Sequence, residues 1–240
     1  MAITLLAMCQ RALREKGQFN VPSTIVGSTD PTTVRLLTLA DRTGRWIANY
    51  TTWQVMIQTY TFATVNGTET YALPSDFVSF IDLTQWDRTN YTPLRGPQSA
   101  AAWEVIRSGN VASASQLMSV WRVAGNLFAI RPAPTTVRTI AYQYLGKNYI
   151  LASGDSSATK EYFTVDTDTC VWSDDLMVLG IKERMEAVAL GIEWAPSAEY
   201  QSFLDGAVSS DGGKAVITFG QPQWLQGIMG SGNLPESNFG

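Results

Sequence analysis

The chain has 240 residues, 45% hydrophobic and 16% charged, with 17 Lys and Arg against 21 Asp and Glu for a net charge of −4. That apolar share supports one large or two small folded domains and excludes a chain disordered throughout. Histidine is absent, which removes every mechanism built on an imidazole base or an imidazole metal ligand.

The first run, Met1-Ala-Ile-Thr-Leu-Leu-Ala-Met-Cys9, has no basic residue ahead of its apolar stretch and meets Arg11 and Arg14 almost at once, so a helix is expected rather than a targeting signal. At helical spacing Leu6, Cys9 and Leu13 share its apolar face. Gly17 to Thr29 is a polar connection. Asp30 then offers an N-cap with Pro31 at the first helical position, and the helix is expected to reach about Asn49 with Val34, Leu37, Gly44 and Ile47 on one side.

From Trp53 the period shortens to two, with Val55, Ile57, Thr59, Thr61 and Ala63 on one face. Asn66-Gly67 marks a tight turn, and Thr68 to Leu73 returns as a second strand. Phe77 to Trp86 and Leu117 to Val123 are further strands. Gly125-Asn126 links the last of these to Leu127–Arg131, and Val137 to Leu145 follows Pro132 and Pro134. Pro97 to Ser108 is one short helix among them, with Ala101, Val105 and Ile106 apolar.

Ser173-Asp174-Asp175 caps the last helix, placing carboxylates where the helix dipole favours them. Val178, Ile181, Met185, Val188 and Ile192 recur at steps of three and four, and Leu179, Ala187, Leu190 and Trp194 widen the expected buried face. Pro196 should kink or restart this helix, which can run on through Phe203 and Leu204. Ser209 to Gly213 has a hinge composition. Beyond it, Phe219, Trp224, Leu225 and Ile228 are scattered without a core-forming period, as in a disordered terminus or an arm that orders on a partner.

The fold class expected is α+β. Helices from residues 1–51 and 170–206 form one bundle, residues 52–169 form an inserted antiparallel β domain with one short helix, and residues 207–240 form an extended C-terminal arm.

The search for chemistry returns little. Cys9 and Cys170 stand too far apart for a metal knuckle and are expected as two isolated buried thiols. No GxxxxGK(S/T) occurs, and Gly212-Gly213-Lys214 lacks the spacing to cradle phosphate. Asp166 and Asp168, ahead of Asp174-Asp175, lack the glycine and terminal glutamate of a calcium loop and are expected at a solvated strand edge and a helix cap. Glu183 and Glu186, beside Lys182 and Arg184, are expected on a charged helix face. Asn49, Asn66 and Asn90 begin glycosylation patterns by chance. Eight tryptophans suit core and interface packing, with a sugar- or base-stacking site as the alternative. No apolar stretch approaches the roughly 20 residues a membrane span needs. The expectation is a structural or interaction protein with no catalytic residues, cofactor or metal.

Several segments in fixed order carry a resemblance. They are Tyr71-Ala-Leu-Pro-Ser-Asp-Phe77, Asp82-Leu-Thr-Gln-Trp-Asp-Arg88, Pro93-Leu-Arg-Gly-Pro97 with Trp103, and Ile130-Arg-Pro-Ala-Pro134. Ala141-Tyr-Gln-Tyr-Leu-Gly-Lys-Asn148, Phe163-Thr-Val-Asp-Thr-Asp168 and Leu176-Met-Val-Leu-Gly-Ile-Lys-Glu-Arg184 continue the series. From about Ala40 to Glu199 the chain resembles the head-to-tail adaptor proteins of tailed bacteriophages, including the tail tubular A type. It departs from their pattern at Glu183, Met185 and Glu186, and at Pro196.

The resemblance implies a non-enzymatic virion protein at the head–tail junction, assembled in the host cytoplasm. It implies a ring, twelvefold in the family, between a portal protein and the next tail component (nozzle or tube). DNA would pass through the ring without specific binding, and no membrane is involved. The acidic balance is consistent with such a lumen, since bound phosphates would retard passage. The resemblance also implies that the arm from Gly213 to Gly240 contacts the portal or a neighbouring subunit through Phe219, Trp224, Leu225 and Ile228. The alternatives are a minor tail or tail-completion protein and a polysaccharide-binding tail component that stacks sugars on Trp86 or Trp121.

Overall fold

The computed structural model describes residues 3–18, 20–108, 119–155 and 157–212. Helix α1 (Leu5–Glu15) starts where the Thr4 hydroxyl accepts from the Ala7 N–H at 3.3 Å, and it buries Leu5, Met8, Cys9, Ala12 and Leu13. Helix α2 (Pro31–Ala48) is capped as its sequence predicts: the Asp30 carboxylate accepts from the N–H groups of Thr32 and Thr33, both at 3.1 Å. Its buried face departs in part from the expected one. Leu36, Leu39, Ala40, Thr43 and Ile47 point inward and Val34 is exposed. Gly44 and Ile47 are buried as expected, and the departure lies in the first turns, where Leu36 and Leu39 are buried in place of Val34.

A single 3-10 turn (Gln54–Met56) leads into β1 (Ile57–Ala63), β2 (Thr70–Ala72), β3 (Phe77–Phe80), β4 (Trp86–Asp87) and β5 (Thr92–Pro93). Helix α3 (Ala100–Ser108) precedes β6 (Val120–Ala124), β7 (Leu127–Arg131) and β8 (Thr139–Gly146). Strand β8 organises the larger sheet. It pairs antiparallel with β1 from Ile57↔Leu145 to Ala63↔Thr139, and with both β3 and β4. The other sheet has the order β2-β7-β6. Gly125 and Asn126, at φ of 56° and 64°, make the two-residue hairpin turn between β6 and β7.

Three expectations for these strands are corrected. The inward face of β1 carries Tyr60 and Phe62 while Thr59, Thr61 and Ala63 are exposed, because the aromatics carry far more surface to bury. The turn at Asn66-Gly67 is present, yet β2 pairs with β7 rather than returning along β1. The crossing places Tyr71 against Phe62, ring centroids 4.7 Å apart, between the sheets. The single strand expected from Phe77 to Trp86 is two strands, β3 and β4, laid end to end on β8. Leu83 breaks them with φ of 61°, and the Thr84 hydroxyl and Gln85 amide both donate to the Ile81 carbonyl. In α3 the buried residue is Trp103, under the Arg122 guanidinium, while Val105 is exposed.

Trp121, Phe128, Ile130, Ile140, Tyr142 and Tyr144 form the core between the sheets. A second core belongs to the helices. It unites α1 and α2 with α4 (Asp174–Leu190) and α5 (Ala198–Asp211). The segment from Tyr149 to Trp172, including the short pair β9 (Ile150–Leu151) and β10 (Thr169–Cys170), buries Tyr149, Ile150, Phe163, Cys170 and Trp172 in this helical core. Leu5 N–H donates to the Asp168 carbonyl at 2.8 Å and Ile3 N–H to the Asp174 carboxylate at 3.1 Å, so the N-terminal helix is tied to the C-terminal part of the chain.

Candidate interaction surface

The contacts expected from the sequence lie on the arm that follows the C-terminal helices. Helix α4 stops at Gly191, which takes a left-handed φ of 68°. After Pro196 the chain restarts as α5, with the Ser197 hydroxyl accepting from the Tyr200 N–H at 3.1 Å. The Glu183 carboxylate in turn accepts from both the backbone N–H and the hydroxyl of Ser197. Glu183 is therefore a clasp between α4 and α5 and not part of a free charged face.

Of the hinge expected over Ser209 to Gly213, Ser209 to Asp211 are instead the last turn of α5, which runs past the boundary placed at residue 206, with Gly212 as its C-cap. Asp211 anchors it, accepting from the backbone N–H groups of Gln54 and Val55. A groove of about 610 Å³ opens beside this anchor, lined by Trp53, Val55, Trp172, Leu176, Phe203 and Ala207. The chain leaves the described region at Gly212, at the end of the helix that flanks this groove. Phe219, Trp224, Leu225 and Ile228 lie outside the described residues.

The other end of α4 exposes a second surface. Val188, Leu190 and Ile192 are 44%, 72% and 60% exposed, although their spacing predicts burial. The buried stripe runs through Val178, Ile181, Arg184 and Ala187 instead, and it ends before Gly191. Arg184, expected on the polar face, is only 5% exposed. Its guanidinium carbon sits 3.5 Å from the Trp194 ring centroid and 6.0 Å from that of Trp46. The sequence signal was available: Arg184 stands three residues after Ile181 and three before Ala187, on the same helical face.

Several titratable groups elsewhere have structural partners. Asp168 is fully buried and not at a solvated edge. Its carboxylate accepts from Lys160 Nζ at 2.8 Å and from the N–H groups of Thr164 and Val165 at 2.9 and 3.0 Å. Burial alone would raise its pKa, but these donors outweigh burial and hold the carboxyl below its ordinary value. Asp166 accepts from Ile25 N–H and Val26 N–H, pinning the connection between α1 and α2. Cys9 and Cys170 are free and buried, and burial pushes both thiols up to about 12. Tyr144 donates to Asp76 and Gln58 at 2.9 and 3.0 Å, and burial drives its phenol upward. Among the described residues no group of three or more Cys, Asp or Glu side chains is placed to hold a metal ion, and no helix is long and apolar enough to cross a membrane.

The buried polar groups just described serve the fold, and exposed apolar side chains occur both near α4 and α5 and on the sheet side of the molecule, where Leu83 and Tyr91 are the most open. The model of the SU10 adaptor protein family matches residues 3–208, from just before α1 into α5. The chain belongs to the SU10 adaptor protein family. It is thus a bacteriophage adaptor, a structural component of the virion. The match takes in both cores of the adaptor, the helical body and the two packed sheets. No curated protein matches the chain.

Proposed function

We propose that this adaptor acts at the head-to-tail junction. It forms a ring between the portal and the tail, twelvefold as in the tail tubular A type, continues the DNA channel and docks the next tail component. The observation that carries this reading is the family match over both cores of the chain. Exposed Val188, Leu190, Ile192 and Phe203 supply the apolar surface that a subunit needs when it is one of many in an assembly. The arm from Gly213 to Gly240 supplies the portal or inter-subunit contact through Phe219, Trp224, Leu225 and Ile228. A net charge of −4 favours a lumen through which DNA slides without being held.

Placement as a minor tail or tail-completion protein differs from this reading only in the partner. Of the two tryptophans a polysaccharide-binding role would use, Trp121 is 2% exposed and stacked on Phe128 with centroids 5.2 Å apart, which takes it out of reach of a sugar, and Trp86 is half-buried. The test is co-sedimentation with the portal protein of the same phage, using the full chain and a chain ending at Gly212. The full chain should pellet with the portal and the shortened one should bind weakly or not at all. A folded full-length chain that stays in the supernatant removes the portal from the proposal.

A further inference from the structure

Arg184 holds a positive charge where the fold gives it nothing to neutralise. Its Nε and Nη2 are buried without a hydrogen-bond partner among the described residues, and it makes no ion pair there. Trp194 Nε1 and the Tyr200 hydroxyl, on neighbouring rings whose centroids lie 5.9 Å apart, are also buried and unpartnered. Such groups are ordinarily satisfied in a folded protein, and Arg184 and Trp194, which can only donate, each call for an acceptor. The nearest acid on the helix, Glu183, is committed to Ser197. Burial lowers Arg184 only to about 10, so it remains cationic at neutral pH. The second cation at the cleft, Arg42, is exposed on α2 and adds to the positive field.

Arg184 and Trp194 border a cleft of about 780 Å³ between α2, the end of α4 and the 191–197 loop, lined also by Arg42, Trp46, Val188, Ile192 and Glu193, an exposed acid that makes no ion pair among the described residues. We propose that this cleft is a carboxylate socket, which receives an Asp or Glu side chain flanked by apolar residues on a protein partner. The carboxylate pairs with the Arg184 guanidinium as the Trp194 indole shifts aside, and the flanking residues cover Val188 and Ile192. A planar guanidinium takes a carboxylate through two parallel hydrogen bonds. The apolar rim suits a peptide and not a sugar–phosphate backbone, and the net charge of −4 works against nucleic acid. The adaptor reading enters only in making that partner another virion protein; the socket stands on Arg184 and its neighbours.

The test uses the ¹⁵N-labelled full chain and follows the Arg184 Nε–H and Trp194 Nε1–H resonances, assigned from Arg184→Lys and Trp194→Phe spectra. The probes are 3-phenylpropionate, its neutral amide, and inorganic phosphate. Saturable shifts of both resonances with the carboxylate are expected, with the amide and phosphate weaker by about tenfold or more. Arg184→Gln should abolish the response. Arg42→Gln, at an exposed position outside the core, should keep the fold and weaken carboxylate binding severalfold. Still resonances under carboxylate, equal shifts with the amide, or an unchanged affinity in Arg42→Gln would each overturn the proposal. Phosphate binding as tight as carboxylate would overturn it in favour of a nucleic-acid contact. Portal co-sedimentation is scored separately, so an empty socket and a failed adaptor reading give different results.

Discussion

Adding one methyl group at Gly44 should destabilise the protein, although the same change inside an unhindered helix stabilises it. Gly44 lies within α2, directly under the Tyr149 ring. A Cβ there would sit 2.8 Å from Tyr149 Cζ and 2.9 Å from its hydroxyl oxygen, and closer still to Cε2. Tyr149 has no room to retreat. It is fully buried, it stacks on Trp172 with ring centroids 6.2 Å apart, and its hydroxyl donates to the Asp41 carbonyl at 3.3 Å. Replacing helical Gly with Ala gains about 1 kcal/mol of backbone propensity, whereas overpacking a tight core costs about 1–3 kcal/mol, and more when the obstacle is rigid. A ring that must shift by most of an ångström puts Gly44→Ala near the top of that range, for a net loss of about 1–2 kcal/mol. Gly206 in α5 is the control, since a Cβ there meets nothing within 4 Å. Gly206→Ala should therefore gain about 0.5–1 kcal/mol. Urea denaturation should move the two midpoints in opposite directions from wild type, with melting temperatures separated by about 5–10 °C. A Gly44→Ala protein as stable as wild type would refute the close seating of Tyr149 on α2.

Three further outcomes check the tie points. Asp168→Asn should cost about 1–3 kcal/mol near neutral pH, because it removes a charged acceptor from Lys160 and two amides. The carboxyl is held below its ordinary value, so its contribution is complete above the unfolded-state value of about 4 and is lost as pH falls through the lower folded value. The urea midpoints of wild type and Asp168→Asn should accordingly converge in acid. Both thiols, buried and raised to about 12, should resist a thiol reagent at pH 8 in the native protein and react together in urea; fast native labelling of either would place it outside the core. Asp30→Ala should lower stability by about 1 kcal/mol through the lost cap on α2, measured by the same urea titration, and an unchanged midpoint would mean that water serves Thr32 and Thr33 equally well.

Local chemistry was legible in the sequence where a residue acts on its own backbone. Asp30 with Pro31 started α2, Gly125-Asn126 turned the β6–β7 hairpin, and Pro196 divided the last helical stretch. What escaped was the partner of each element. The pairing of β2 with β7 follows from how Tyr71 and Phe62 fill the space between two sheets, a fact of three dimensions that no period records. On α2 the expected Gly44 and Ile47 are buried, but Leu36 and Leu39 are buried in place of Val34, which apolar spacing alone does not distinguish. The apolar residues of α4 beyond Ala187 extend past the bundle it packs into, so their period continues after the core has ended. Asp166 carried no sign of its partners, because Ile25 and Val26 lie far off in the chain and meet it only once the fold closes, whereas the donors to Asp168 are its near neighbours Lys160, Thr164 and Val165. The candidate contacts Phe219, Trp224, Leu225 and Ile228 lie outside the described residues, and the inward turn of Arg184 was missed although its spacing encoded it.

The central claim is that the protein joins head to tail. The measurement that tests it most directly is electron microscopy of particles from a phage whose gene for this chain carries an early stop codon. The adaptor reading predicts heads without attached tails, and restoration of complete virions when the full chain is supplied in trans. Tails joined normally to heads in the absence of the protein would contradict it.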